Sequence, residues 1–301
     1  MPSWKGQSRG NVLGYKIFVF TLKYLGLSFA YFILRFVAFY FFIFAKSSTK
    51  PLYFYFKNIL HYSKTKSILS IYKNFFVFGQ VLLDKVAILG GLKGKFSYNF
   101  DGEHHLREMA KNKTGGIIVN AHIGNFEIAG QLLERLQTKI NVLMLDAEHQ
   151  QIKKYLSNVL VNKDINIIPL QSDFSHIIPI SEALLNKELI AMAGDRFVKK
   201  NKIFSTDFMG HKASFPAGPF YLAARFGVPV TFAFAMKESK KHYHFFATKP
   251  MYIKKYTNPD EQDKELKHFV EKYANEFEKI LKKYPLQWFN YYPFWENENK
   301  S

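Results

Sequence analysis

The chain has 301 residues, no cysteine, and 42 lysines and arginines against 24 aspartates and glutamates, a formal net charge of +18. This length allows one large domain or two smaller ones with a substantial core. An apolar content of 48%, with aromatic residues at 18%, excludes intrinsic disorder. The lack of cysteine excludes a disulfide scaffold, a cysteine-based zinc site, an iron–sulfur cluster and a thiol nucleophile.

The positive charge is concentrated near the N-terminus, because eleven basic residues precede the first acidic residue, Asp84. Residues 24–45 form an apolar run whose only formal charge is Arg35. As a helix, this run would reach about 33 Å, enough to cross a hydrocarbon core of about 30 Å. Arg35 would cost about 3 kcal/mol at the centre of such a span. The alternatives are a helix lying in the membrane interface and a helix buried in a protein core.

Membrane attachment is the interpretation that best fits this basic, aromatic segment. Nucleic-acid binding is the other common meaning of a basic chain, but basic residues between near-continuous phenylalanines would aggregate unless lipid covered them. A signal peptide is not favoured, because no small-residue cleavage site follows the apolar run. The larger basic flank on the C-terminal side favours placing the bulk of the chain in the cytoplasm.

The rest of the chain changes from a helical period to an alternation of strands and helices. Residues 67–90 have apolar positions at helical spacing and end at Gly90 and Gly91. Helices are also expected at 124–137, at 148–160 and from Pro259 to about Tyr284. Short apolar runs predict strands at 96–100, 117–120, 142–145, 165–169, 189–193 and 230–235. We therefore expect an α/β fold with a mixed central sheet flanked by helices, in which residues 1–66 anchor the chain to a membrane and residues 67–301 form the catalytic domain.

The strongest chemical candidate is His122, which follows the predicted strand 117–120 and precedes a predicted helix that carries Glu127 in its first turn. Active sites of α/β folds gather at the carboxyl ends of strands. A carboxylate on one imidazole nitrogen would fix the tautomer and leave the other nitrogen as a general base. The spacing alone is not specific, and a capped helix beside an incidental histidine is the structural alternative.

Two further segments are candidates for substrate binding. Asp195 and Arg196 follow another predicted strand, and the segment 208–218 contains Gly210, Pro216 and Gly218. A local ion pair and ordinary turn geometry explain these residues equally well when each is taken singly. The sequence contains no nucleophile elbow, Walker A loop, dinucleotide-binding glycine motif or zinc-protease motif, so no metal or cofactor is expected.

Taken in order, these segments resemble the late acyltransferases of lipid A biosynthesis, within the wider lysophospholipid acyltransferase superfamily. The resemblance extends over about residues 5–295. It is carried by the basic aromatic N-terminal segment, the motif from His122 to Glu127, Asp195 after a strand, the segment 208–218, and Gln287-Trp288 near the end.

The resemblance implies a membrane-bound enzyme of lipopolysaccharide synthesis in which His122 and Glu127 are catalytic. His122 would deprotonate a lipid hydroxyl, which attacks the thioester of acyl carrier protein or acyl-CoA, and Glu127 would orient His122 and stabilise the imidazolium. Asn125, Asp195, Arg196, Gly210, Pro216 and Gly218 would bind substrate or order the site. The expected partners are the acyl donor, a lipid acceptor and the membrane, without nucleic acid.

The sequence departs from the family pattern at one position. Most family members carry an arginine between the two motifs, whereas this chain has none from Leu136 to Asp195. Either Lys153, Lys154 or Lys163 replaces it, or the phosphate contact differs. Lysine does not reproduce the bidentate binding of phosphate by arginine. Acceptors other than a lipid A precursor therefore stay open, namely an aminolipid, a lysophospholipid or a pigment hydroxyl. A non-catalytic peripheral lipid-binding protein of the same fold is the alternative from another class.

Overall fold

A seven-stranded, mostly parallel sheet forms the centre of the protein. The structure is a computed structural model, and it describes residues 12–88, 96–125, 128, 138–145, 165–170, 173, 175–197, 202–296 and 298. The strand order in the large sheet is β1-β9-β8-β2-β5-β3-β4, and β6 and β7 form a separate antiparallel hairpin. The strands are β1 Ser97–Asp101, β2 Gly116–Asn120, β3 Ile140–Leu145, β4 Ile165–Leu170, β5 Leu189–Ala193, β6 Ile203–Phe208, β7 His211–Pro216, β8 Val230–Ser239 and β9 His242–Ala247.

The predicted α/β class and mixed sheet are confirmed. All neighbouring strands of the large sheet run parallel except β8 and β9, which pair antiparallel. Each of the six predicted strands is present, within a few residues of its expected bounds. The sequence analysis missed β6, β7 and β9. The candidate binding segment 208–218 contains the turn and the second strand of the β6–β7 hairpin. The turn residues Met209 and Gly210 both have positive φ.

The described residues form eight α-helices around these strands. They are α1 Val12–Tyr24, α2 Gly26–Phe44, α3 Lys46–Phe54, α4 Lys64–Ala87, α5 Glu103–Lys111, α6 Ile177–Leu185, α7 Gly218–Phe226 and α8 Pro259–Lys283. A π-helical turn, Tyr55–Ile59, follows α3. The predicted run 24–45 forms α2, the predicted helix 67–90 forms α4, and the helix expected from Pro259 forms α8. The helix expected at 148–160, and most of the one expected at 124–137, lie outside the described residues.

Helix α2 lies along α4 over most of its length. Tyr72 on α4 donates a hydrogen bond to the Arg35 carbonyl (3.4 Å), and the rings of Phe41 and Phe75 are 6.5 Å apart. Gly79 allows close approach, because a Cβ there would lie 2.3 Å from the Leu34 side chain. Among the described helices, α2 is long and apolar enough to span a membrane by length and composition alone, with a mean hydropathy of 2.0.

The opposite face of α2 is exposed and strongly apolar. Its most apolar 18-residue window is only 28% buried, so α2 is not the buried core helix that the sequence left as an alternative. In water such a surface would be an aggregation liability. The exposed apolar residues of α2 are Phe29, Phe32, Phe36, Phe39, Tyr40, Ile43 and Phe44.

Residues 45–59 belong to the same hydrophobic core as the central sheet. Leu52 and Phe56 are fully buried in the cluster that contains Ile117 of β2 and Phe232 of β8. This segment therefore contributes to the fold of the region that holds the sheet. The functional division of the chain at residues 66 and 67 stays a prediction.

A buried polar cluster ties α2 to the sheet. Asp84 on α4 is fully buried, and Lys237 on β8 donates to its Oδ2 at 2.5 Å. The hydroxyls of Tyr31 on α2 and Tyr243 on β9 also donate to the Asp84 carboxylate. Burial raises the pKa of Asp84 and lowers the pKa of Lys237, while each group's charge opposes the shift of the other. The pair therefore depends on both partners being present.

We predict that Lys237→Met lowers the free energy of unfolding by about 3–5 kcal/mol, because it leaves the Asp84 carboxyl group buried without its cation. Chemical denaturation of the full chain in detergent measures this loss. Lys240→Met is the matched control, because the Lys240 side chain is exposed and its ammonium donates to Ser28. Equal stability of Lys237→Met and Lys240→Met would contradict the assigned role of the pair.

Candidate active site

The site lies where two neighbouring parallel strands end in register. Asn120, the last residue of β2, pairs with Ala193, the last residue of β5. His122 and Asp195 each lie two residues beyond these ends, so the register places them side by side at the carboxyl edge of the sheet. His122 Nδ1 is 2.8 Å from Asp195 Oδ1, and the His122 backbone N–H donates to Asp195 Oδ2 at 3.0 Å.

Asp195 is an almost completely buried anion, with 1% of its surface exposed. The indole N–H of Trp288 donates to its Oδ2 at 3.2 Å, in addition to the two donors of His122. Burial would raise the pKa of Asp195, but the charge and hydrogen bonds of His122, together with the charge of Arg196, lower it to about 2. Asp195 is therefore a carboxylate at neutral pH, with its two oxygens directed at protein donors.

The carboxyl-terminal segment holds the loop that carries His122. The Gly124 N–H donates to the Gln287 carbonyl (2.9 Å), and the Phe289 N–H donates to the His122 carbonyl (2.9 Å). Trp288, which is 1% exposed, lies between these contacts and reaches Asp195. In the sequence, Gln287 and Trp288 belong to the resemblance, and the density of tryptophan, tyrosine and phenylalanine in this segment indicates that it is not exposed to water. The structure places it beside the site.

Two glycines allow the backbone to approach its neighbours closely at the site. Gly124 has φ +59°, and a Cβ at this position would lie 2.0 Å from the Ala235 carbonyl oxygen. Gly194, directly before Asp195, packs against β2 and α8, where a Cβ would lie 2.6 Å from Val119 and 2.7 Å from the Tyr273 ring. The hydroxyl of Tyr273 donates to the Asn120 carbonyl at 2.7 Å. These contacts fix the ends of both strands that carry the site.

Asn125 lies in the same loop but faces inward. It is 2% exposed, and its side-chain N–H₂ donates to the Val81 carbonyl (3.1 Å) and to the Tyr243 hydroxyl (3.4 Å). It therefore connects the loop to α4 and to the tyrosine that binds Asp84. Glu127, predicted to orient His122, lies outside the described residues.

The other predicted binding residues, Arg196, Gly210, Pro216 and Gly218, do not take part in the contact between His122 and Asp195. Arg196 donates to the Phe289 carbonyl (3.0 Å) and packs against the ring of Tyr292. Gly210 is in the β6–β7 turn, next to Met209, whose N–H donates to Glu278 of α8. Pro216 ends β7 and Gly218 begins α7. Their assignment to substrate binding stays a prediction.

The geometry defines a candidate general-base centre. The His122 side chain is 24% exposed, so a substrate can reach it from outside, whereas Asp195 behind it is buried. An Nδ1–H donated to the Asp195 carboxylate leaves Nε2 as the proton-accepting nitrogen of a neutral imidazole. An imidazole oriented in this way takes a proton from an alcohol and returns it to a leaving group.

The family comparison gives the reaction class of the chain. Residues 9–296 match the family model described as bacterial lipid A biosynthesis acyltransferase. The match extends over nearly the whole chain. The protein belongs to this family, and it is an acyltransferase that acts on lipids.

Among solved structures, the chain is similar to the 1-acyl-sn-glycerophosphate (LPA) acyltransferase PlsC from Thermotoga maritima. The identity is 15%, the match covers 83% of this chain and 98% of that chain, and the TM-score is 0.37. A search of curated proteins finds no significant match.

We predict that Asp195→Asn lowers kcat for acyl transfer by 10²- to 10⁴-fold, the range of positioned acid–base catalysis. An asparagine amide can donate to Nδ1, which reverses the tautomer and protonates Nε2. Steady-state kinetics with a lipid acceptor measures the change, which we expect in kcat with little change in KM.

Asp207→Asn is the control for this variant, because it makes the same chemical change at an exposed position of β6. We expect the Asp207→Asn protein to retain wild-type kinetics. A kcat of Asp195→Asn within threefold of wild type would contradict the positioning role of Asp195.

Proposed function

We propose that the protein transfers a fatty acyl chain from an acyl thioester to the hydroxyl group of a lipid in lipid A biosynthesis, with His122 as the general base. The observation that supports this most directly is the 2.8 Å contact between His122 Nδ1 and the buried Asp195. The family match supplies the reaction class and the lipid acceptor.

The proposed reaction needs one proton to move twice. His122 Nε2 takes the proton of the acceptor hydroxyl as its oxygen bonds to the thioester carbonyl carbon. The carbon–sulfur bond then breaks, and the leaving thiolate takes the proton back from the imidazolium. The products are an ester and a free thiol, and no covalent acyl-enzyme is formed. This agrees with the absence of cysteine and of a serine elbow from the sequence.

Asp195 would act through His122 as a positioning residue. Its two oxygens hold both the ring and the backbone of His122, so the imidazole cannot turn without breaking a buried hydrogen bond. The buried negative charge also stabilises the imidazolium that forms during proton transfer. Glu127 remains the residue that the family resemblance implies for this task.

The identity of the donor and acceptor rests on charge and on the family. A net charge of +18 favours an acidic donor such as acyl carrier protein, by steering its approach, although acyl-CoA is also an anion. Asn125 and Arg196 would shape the site from behind rather than contact substrate, because each is bound to neighbouring backbone. Gly210, Pro216 and Gly218 stay candidates for substrate binding.

The test of this function is lipid mass spectrometry of a deletion strain complemented with wild type or with His122→Gln. We expect the deletion to lack one acyl chain on a lipid A species, wild type to restore it, and His122→Gln to fail to restore it. Glutamine keeps a polar side chain of similar length but has no group that takes a proton at neutral pH.

His268→Gln serves as the control, because His268 is exposed on α8 and lies outside both the strand ends that form the site and the segment 208–218. It is expected to complement fully. Restoration by His122→Gln would refute the general-base role and favour a lipid-binding protein without catalysis. Loss of an acyl chain from an aminolipid, a lysophospholipid or a pigment would identify that molecule as the acceptor instead of a lipid A species. The proposed general-base mechanism would then still apply.

We further propose that α2 lies in the interface of the inner membrane, with the catalytic region on the cytoplasmic side. One face of α2 is held along α4, and α4 is joined to the site through Asn74, whose side chain donates to the Leu286 and Trp288 carbonyls. A span by α2 would draw this polar region into the hydrocarbon core. An in-plane helix instead covers its exposed phenylalanines with acyl chains and leaves its basic residues at the phosphates.

Single cysteines introduced into this cysteine-free chain test the arrangement of α2. We predict that Lys23→Cys and Lys46→Cys, which flank α2, both react with a membrane-impermeant maleimide in inverted inner-membrane vesicles. Lys249→Cys, exposed beyond β9, marks the side that carries the catalytic region. Protection of only one of the two flanking cysteines, with full labelling of Lys249→Cys, would show a membrane-spanning α2.

A further inference from the structure

A cavity of about 460 Å³ lies between α2, α4 and the turn that joins β8 to β9. Its volume falls in the range of small-molecule sites. Among the described residues, its lining does not include His122 or Asp195. It is therefore a space separate from the catalytic contact, and the proposed acyl transfer assigns nothing to it.

The cavity is lined by three cationic side chains and one anionic side chain. Lys237 at its base is neutralised by Asp84 behind it. Glu238 is bound by the Tyr284 hydroxyl (2.5 Å) and by His244 Nδ1 (3.1 Å). Arg35 and Lys240 are exposed. With Lys237 paired to Asp84, their two positive charges exceed the single negative charge of Glu238, so the cavity favours an anion.

Arg35 is the single formal charge in the apolar run 24–45. It lies beside Phe32 and Phe36, which are 51% and 65% exposed, on the face of α2 expected to meet lipid. An unpaired guanidinium at this position is costly in a membrane, whereas one that binds an anion at the headgroup level is stabilised. Guanidinium groups bind phosphate oxygens in a bidentate geometry.

The remaining lining mixes aromatic and polar side chains. Phe32 on α2 and Phe76 on α4 lie in it beside Ser28 and Gln80, and the Lys240 ammonium donates to Ser28 at 2.7 Å. A ligand that fits this lining has an anionic group and an attached acyl chain. The chain would continue along the exposed phenylalanines of α2, and the anionic group would remain between Arg35 and Lys240.

We propose that this cavity binds the phosphate headgroup of an anionic membrane lipid, with Arg35 and Lys240 as its ligands. The site goes beyond the proposed acyl transfer, because it would be occupied by a lipid of the surrounding membrane. Gln287 lines the cavity and also accepts the hydrogen bond from Gly124. A lipid bound here would thus contact the segment that holds the catalytic loop.

The experiment measures lipid binding to the purified full chain in neutral detergent by native mass spectrometry, with phosphatidylglycerol as the anionic probe and phosphatidylcholine as the zwitterionic one. We expect tighter binding of phosphatidylglycerol by wild type, and at least a tenfold loss of its affinity in the double variant Arg35→Gln/Lys240→Gln. The double variant Lys249→Gln/Lys255→Gln removes the same charge from exposed positions outside the cavity and is expected to stay within twofold of wild type.

Three outcomes would overturn the proposal. They are equal binding of the two lipids, an equal loss of affinity in both double variants, and displacement of phosphatidylglycerol by inorganic phosphate at the same concentration, which would indicate a site for the free anion. His122→Gln is expected to bind phosphatidylglycerol as wild type does. Failure of lipid binding and failure of acyl transfer are therefore separate results.

Discussion

The contact between His122 and Asp195 depends on the register of two parallel strands. Strands β2 and β5 pair residue for residue up to Asn120 and Ala193. His122 and Asp195, each two residues beyond these ends, therefore lie side by side. A shift of the pairing by one residue would move one side chain to the other face of the sheet. Gly194, which packs tightly against Val119 and Tyr273, leaves little room for such a shift. The central sheet is thus the element that assembles the proposed base.

The other contacts of the site make this arrangement rigid. The carboxyl-terminal segment pairs with the loop on one side, and Asn125 connects the loop to Tyr243 on the other. Tyr243 in turn binds Asp84, which also accepts a hydrogen bond from Tyr31 of α2. A continuous set of buried polar contacts therefore runs from the apolar helix to the loop that carries His122. This gives the proposed membrane contact a physical connection to the site, through groups whose hydrogen bonds are costly to break in a dry interior.

Much of the fold could be predicted from the sequence, because buried parallel strands are short apolar runs and α4 and α8 have clear helical periods. The hairpin β6–β7 and strand β9 were missed because their polar and aromatic residues alternate without such a run. His122 was found from its place after a strand. Its pairing with Asp195 was not, because 73 positions separate the two in the chain and only strand order brings them together. The short separation in the chain drew attention to Glu127 instead, whereas equal offsets from two strand ends were the signal for Asp195.

The tautomer of His122 tests the central claim most directly. ¹⁵N NMR of the histidine-labelled chain, with the His122 signals assigned by their loss in His122→Gln, distinguishes a protonated from an unprotonated ring nitrogen. The account predicts a proton on Nδ1 and none on Nε2 in the neutral ring, and loss of this preference in Asp195→Asn. A proton on Nε2 in the neutral wild-type ring, or a spectrum unchanged by Asp195→Asn, would contradict it.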